Sequence, residues 1–313
     1  MKIGFLFPGQ GSQTVGMGKD LYENYEIVRE IYDKAEEITK IPIKKLSFEG
    51  PEEELNKTQN TQLAILTMSL AITKLLETEG IKADISAGLS LGEYSALINS
   101  KAITIEDGLK IVKARGKYMQ ELCPKGDWKM AAIMGLTEEQ VNEGISKVKS
   151  GFVKAANFNT EGQIVLSGET KAIEEACTYL KEMGAKRAMP LNTAGPFHTE
   201  KLIESSKALR EELEKYTFNK FESKVIKNLT GDTYYSDEDN IKEILANHII
   251  NPVQFKKTLK KMLEEGIDTF IEIGPGKTLS GFLKRIETDK EIKILNISNV
   301  ETYKNTLSIL KGE

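Results

Sequence analysis

Gly88-Leu89-Ser90-Leu91-Gly92 sets a serine between two glycines, where a short apolar segment gives way to a helical one. A serine on such a strand-to-helix turn projects its Oγ, and the glycines let neighbouring chain approach closely. The helix that starts at Leu91 aims backbone N–H groups and its positive dipole end at the same spot, which suits a developing oxyanion. That chemistry is nucleophilic attack on an acyl carbon, and it needs a base. The chain holds 2 histidines. His198 closes the irregular Gly-Pro stretch NTAGPFH at 192–198, the kind of loop that carries catalytic groups; the plainer alternative is a surface-loop histidine. His248 falls in or beside a helix ahead of Asn251-Pro252 and reads as a packing or solvent-facing residue. His198 is the expected base.

Other glycine clusters fail as motifs. A dinucleotide fingerprint from Gly9 would need glycine where Thr14 stands, and a phosphate loop ending at Gly276-Lys277-Thr278 would need glycine where Ile271 stands. With two histidines and no cysteine cluster, no zinc site is expected.

The elements that must position the serine and histidine follow from hydropathy period. Lys2–Phe7 reads as a strand running into the turn GQGSQ, Leu21–Ile38 as a helix, and Thr61–Leu76 as a helix apolar almost all round, hence buried. Asp84–Gly88 is strand-like, Leu91–Ile98 helical, and Thr104–Leu122 a helix opened by Thr104 with Asp107 three residues on. Between about 125 and 195 the order becomes βαββαβ, a ferredoxin-like unit, with a Thr137/Gln140 capping box on its first helix. Strands and helices alternate again afterwards: Lys224–Leu229 and Thr269–Ile273 as strands, Pro252–Glu265 as a helix. The expected fold class is α/β: a core from residues 1–124 and 196–313, interrupted by a small subdomain at 125–195.

Composition narrows the function classes. The 313 residues carry 43 Lys and Arg against 47 Asp and Glu, a net charge of −4, which gives no electrostatic case for a nucleic-acid partner. The longest uncharged stretch, Thr58–Thr73, is too short and polar to span a bilayer. Met1–Phe7 does not read as a secretory signal, and Cys123 and Cys177 are isolated, which fits a reducing cytoplasm. The expectation is a cytoplasmic protein that uses neither membrane nor nucleic acid, and a monomer.

Along nearly its whole length the chain resembles the malonyl-CoA:acyl carrier protein transacylases. FPGQGSQ at 7–13 (read from Phe7), GLSLGEYSAL at 88–97, RGKYMQ at 115–120, GPFH at 195–198, NPVQF at 251–255 and EIGPGKTLSGFLKRI at 272–286 occur in that family's order and spacing. The resemblance implies an α/β-hydrolase-like core with a ferredoxin-like insert. It implies Ser90 as nucleophile, His198 as base, the backbone N–H groups of Gln10 and Leu91 as oxyanion donors, and Arg115 as the grip on malonate's free carboxylate. Gln254 is implied as the residue whose main-chain carbonyl orients the imidazole, and Gln62 as a further active-site glutamine. Phe197 matches malonyl-selective relatives. Most members have histidine where this chain has Leu89, so a polar contact beside the nucleophile is lost.

The residues support these roles unevenly. A guanidinium is a planar, permanently charged fork for a carboxylate, though Arg115 alone would pass for a solvated helix residue. Gln254 also suits a capping box with Asn251 as cap and Pro252 in the first turn. The resemblance implies malonyl-CoA and acyl carrier protein as partners, with no cofactor beyond the coenzyme A of the substrate. An acidic carrier protein calls for a local basic patch, for which Lys113, Lys117, Lys284 and Arg285 are candidates. The rival readings are a discrete acyltransferase serving a polyketide synthase, a serine thioesterase or esterase with the same dyad, and an inactive relative that only binds carrier protein.

Overall fold

A computed structural model describes residues 1–191 and 195–312. Among these residues nine strands form two sheets. β1 (Ile3–Phe7), β2 (Ile85–Gly88), β7 (Lys224–Val225), β8 (Thr269–Ile273) and β9 (Lys293–Ile297) make a parallel sheet in the order β7-β2-β1-β8-β9. Its central strands β1, β2 and β8 are buried along their whole length, as expected of a parallel sheet covered by helices on both faces. β3 (Trp128–Met134), β4 (Val153–Thr160), β5 (Gln163–Glu169) and β6 (Arg187–Pro190) make an antiparallel sheet in the order β4-β5-β3-β6, the strand order of a ferredoxin-like unit. The helices Glu138–Ser146 and Thr170–Glu182 connect its strands, the first opened by the Thr137/Gln140 capping box.

The helix Thr58–Thr78 buries almost every side chain, so it lies inside the core and not on it. The helix Ile105–Glu121 packs along it. A Cβ on Gly116 would stand 2.7 Å from the Gln59 Cα, so the two backbones meet at a contact only glycine permits. Thr104 caps this helix, accepting from the Asp107 N–H. No helix among the described residues is long and apolar enough to cross a membrane.

Three elements differ from the hydropathy reading. The helix expected over Leu21–Ile38 is two helices, Lys19–Asn24 and Glu26–Thr39; Tyr25 between them is extended and lays its ring against Tyr303 at 5.3 Å. The strand expected over Lys224–Leu229 stops at Val225, and Asn228 turns its side chain to β2 instead. The helix expected from Pro252 starts at Phe255. The chain before it is held extended by a parallel bridge to β4, in which the Phe158 N–H donates to the Val253 carbonyl and the Val253 N–H to that of Ala156. That bridge also joins the two sheets' bodies beside the histidine.

Candidate active site

Ser90 sits at the C-terminal end of β2, ahead of the helix Gly92–Asn99. Its φ is 53°, in the left-handed region that costs a non-glycine residue about 1–2 kcal/mol. The strain persists because its surroundings over-determine it. The Ser90 N–H donates to Asn228 Oδ1 at 2.8 Å, and Asn228 Nδ2 donates to the Gly88 carbonyl at 2.6 Å. A Cβ on Gly92 would lie 2.0 Å from the Phe7 carbonyl oxygen, so a side chain there would push the helix off β1.

His198, also left-handed at φ 58°, reaches Ser90 across 108 residues of sequence: Nε2 lies 2.8 Å from Oγ. Its Nδ1 faces two carbonyl oxygens, of His248 at 2.9 Å and of Asn251 at 3.2 Å. Carbonyls only accept, so Nδ1 carries the proton and Nε2 is left to accept from the serine hydroxyl. The ring is buried. Burial first, then the nearby His248 and the Arg115 cation, push its pKa well below the ordinary 6.5, so it is held as a neutral base.

Arg115 is 1% exposed. Its Nη1 donates to Gln62 Oε1 at 2.7 Å and Nη2 to Ser90 Oγ at 3.0 Å, while Nε is buried with no acceptor. The guanidinium also lies over the Tyr94 ring, 5.3 Å from its centroid. Among the described residues it forms no salt bridge, and burial pulls its pKa down. A cation held this way, without a carboxylate partner beside a nucleophile, is suited to receive an anion. Gln62 keeps it aligned from the buried helix, its own Nε2 resting on Met119 Sδ at 3.5 Å.

These groups line a cavity of about 430 Å³ between the parallel sheet and the small antiparallel one. Gln10 and Leu91 lie on its floor, and among the described residues neither N–H has a protein acceptor. Leu89, Phe197 and Met119 form apolar wall on the core side; Met130, Asn157 and Asn159 come from the antiparallel sheet. Leu89 packs against the cluster containing Leu6, Leu279 and Phe282, so the side chain that stands in for the expected histidine serves the core. Among the described residues no cluster of His, Cys, Asp and Glu is placed to hold a metal.

Several expectations need correcting. Gln254 does not orient the imidazole: its N–H donates to the Asn228 carbonyl at 2.9 Å and its own carbonyl accepts from Thr258 at 3.2 Å. Nor does Asn251 cap the following helix, since its side chain donates back to the Asn247 carbonyl. His248 packs, fully buried, as one of its two readings had it, but it also supplies a carbonyl to His198 and sets its Nδ1 2.8 Å from Glu93 Oε2. Of the four basic residues, Lys113 is tied to the Thr39 carbonyl and Lys117 lies near Glu121, whereas Arg285 bonds Gln163 on the cavity wall. Asn192–Ala194, part of the loop read as leading to the base, lie outside the described residues. Asn228 and Glu93 were missed. Glu93, a carboxylate in an otherwise apolar helix turn, was the available signal; Asn228 gave none.

A left-handed serine after a parallel strand, a neutral histidine on it and two unpaired N–H groups define an acyl-transfer site. Residues 4–300 match the family model of the acyl transferase domain. Across 100% of its length the chain is 41% identical to the malonyl CoA-acyl carrier protein transacylase of Bacillus subtilis, covering 98% of that protein, and across 94% it is 39% identical to the Escherichia coli one, covering 96%. The crystal structure of the Clostridium perfringens transacylase superposes with a TM-score of 0.93 at 46% identity, covering 100% of this chain and 98% of that one. A malonyl-transacylase solved in complex with its type II PKS acyl-carrier protein superposes at 0.94 with 33% identity, each chain covered in full. The chain belongs to the malonyl CoA-acyl carrier protein transacylase family.

Proposed function

We propose that Ser90 carries the malonyl group from malonyl-CoA to the phosphopantetheine thiol of an acyl carrier protein, supplying fatty acid synthesis in the cytoplasm. The observation that carries this is the buried, unpaired Arg115 guanidinium 3.0 Å from the Oγ that His198 holds at 2.8 Å. His198 Nε2 takes the hydroxyl proton as Oγ bonds to the thioester carbon. The carbonyl oxygen becomes an oxyanion between the Gln10 and Leu91 N–H groups, worth roughly 10²–10³ in rate per donor at comparable sites. The tetrahedral centre then collapses, the C–S bond breaks, and the imidazolium returns the proton to the coenzyme A sulfur. The same steps in reverse, with the carrier thiol as nucleophile, release the product and restore Ser90. Arg115, aligned by Gln62, pairs with malonate's free carboxylate, and Phe197 walls the acyl pocket. In this reading residues 1–124 and 196–313 supply the catalytic groups, and the subdomain at 125–195 closes the cleft from the other side.

The test is intact-protein mass after brief exposure to malonyl-CoA. One malonyl adduct, absent from Ser90→Ala and discharged by acyl carrier protein, is the expected result. Free malonate accumulating without an adduct would instead make the protein a hydrolase.

A further inference from the structure

We propose that Glu93 and His248 act as a buried strut that positions the catalytic pair, an inference that rests on the acyl-transfer reading above. His198 is oriented by neutral carbonyls, and a carbonyl can orient a ring only as well as its own backbone is held. The better placed of the two belongs to His248, at 2.9 Å. His248 ends the helix Ile241–His248, and its side chain runs from there to the helix that follows the nucleophile. That ring is fully buried, lies 5.0 Å from the His198 ring, and sets Nδ1 2.8 Å from Glu93 Oε2, a close polar contact that is not an aligned hydrogen bond.

Glu93 has a second attachment. It lies three residues after Ser90, and its Oε1 accepts from the Asn228 N–H at 2.8 Å and from the Tyr235 hydroxyl at 2.9 Å. Asn228 is the residue whose side chain holds the Ser90 N–H and the Gly88 carbonyl. One carboxylate thus ties the turn that presents the nucleophile to the helix end whose carbonyl orients the base. A buried carboxylate is costly unless its partners occupy it, and here those partners support both members of the dyad. In a site that works through a 2.8 Å contact between strained residues, a displacement of about 1 Å costs roughly 10²-fold in rate.

The experiment is single-turnover acylation of Ser90 by malonyl-CoA, read by mass and separated into a maximal rate and a half-saturating concentration. His248→Phe keeps a ring in place and His248→Leu keeps apolar bulk; both remove Nδ1 and break the contact with Glu93. His248→Asn places an amide N–H three bonds from Cα, where Nδ1 stands, and restores it. The expected result is a maximal rate lowered roughly 10²-fold in the Phe and Leu variants at unchanged half-saturation, with the Asn variant within a few-fold of the unaltered enzyme. Thermal unfolding run alongside restricts the comparison to folded protein. Full-speed acylation by either loss variant, or an Asn variant as slow as they are, would overturn the strut alone. No adduct in the unaltered enzyme would overturn the transfer reading, and the strut with it.

Discussion

Replacing Arg115 by alanine separates malonyl from acetyl transfer, and the structure sets the size of the effect. The guanidinium is 1% exposed and lacks an acidic partner among the described residues, so a carboxylate entering the cavity pairs with it out of water. Truncating one side of such a buried pair costs about 2–5 kcal/mol, much of it from the charge left behind. At 1.36 kcal/mol per decade, that is a loss of about 30-fold to several thousand-fold in kcat/KM for malonyl-CoA. Acetyl-CoA brings no carboxylate and escapes this cost. Both substrates lose the bond from Nη2 to Ser90 Oγ, so the ratio of the two kcat/KM values is the clean measurement. It should fall by the full factor. Arg115→Lys should recover part of it, because a point charge reaches the carboxylate but cannot also hold Gln62 and Ser90 in a planar fork. A malonyl-to-acetyl ratio unchanged in Arg115→Ala would refute carboxylate recognition by this residue.

Other outcomes follow from the same geometry. Because His198 titrates well below 6.5 and acts in its neutral form, acylation rate should stay level through pH 6.5 and fall only at lower pH; a decline centred at 6.5 or above would contradict the burial argument. The same shift makes the unfolded state bind more protons between the folded pKa and 6.5, so stability should rise with pH across that window, and the dependence should flatten in His198→Ala. Ser90→Gly and Ser90→Ala both abolish the adduct, but glycine relieves the left-handed strain at φ 53° and should be about 1 kcal/mol more stable than alanine in urea unfolding. Asn228→Ala leaves the Ser90 N–H and the Gly88 carbonyl without their partner, and should cost about 1–3 kcal/mol and slow acylation.

Much of this architecture was legible in residue pattern because the controlling interactions are local. The Thr137/Gln140 box, the Thr104 cap and the order of elements around Ser90 follow from side-chain type and period. The dyad was legible too, since a serine between glycines and a histidine in a Gly-Pro loop are rare types in telling places. What orients the histidine was not. A backbone carbonyl is offered by every residue, so nothing in side-chain type distinguishes His248 and Asn251 from Gln254. The later start of the helix at Phe255 has the same origin: the bridge holding Val253 extended comes from β4, about a hundred residues earlier. Asn228 was hidden because its strand is cut to two residues by side-chain bonds 138 and 140 positions away.

The choice of carbonyls over a carboxylate bears on substrate selection. In a Ser-His-Asp triad the carboxylate stabilises the imidazolium that forms as the proton moves. Here the orienting groups are neutral, and the Arg115 charge disfavours a second cation on His198. A malonyl carboxylate on Arg115 cancels that opposition at the step where the proton transfers, whereas an acetyl group leaves it standing. Malonyl preference then resides partly in the chemical step, since the pairing stabilises the transition state beyond what it does for the bound substrate. At saturating thioester, acylation by malonyl-CoA should therefore outpace acylation by acetyl-CoA, and Arg115→Ala should narrow the gap in maximal rate as well as in KM. A preference confined to KM would show that Arg115 only binds.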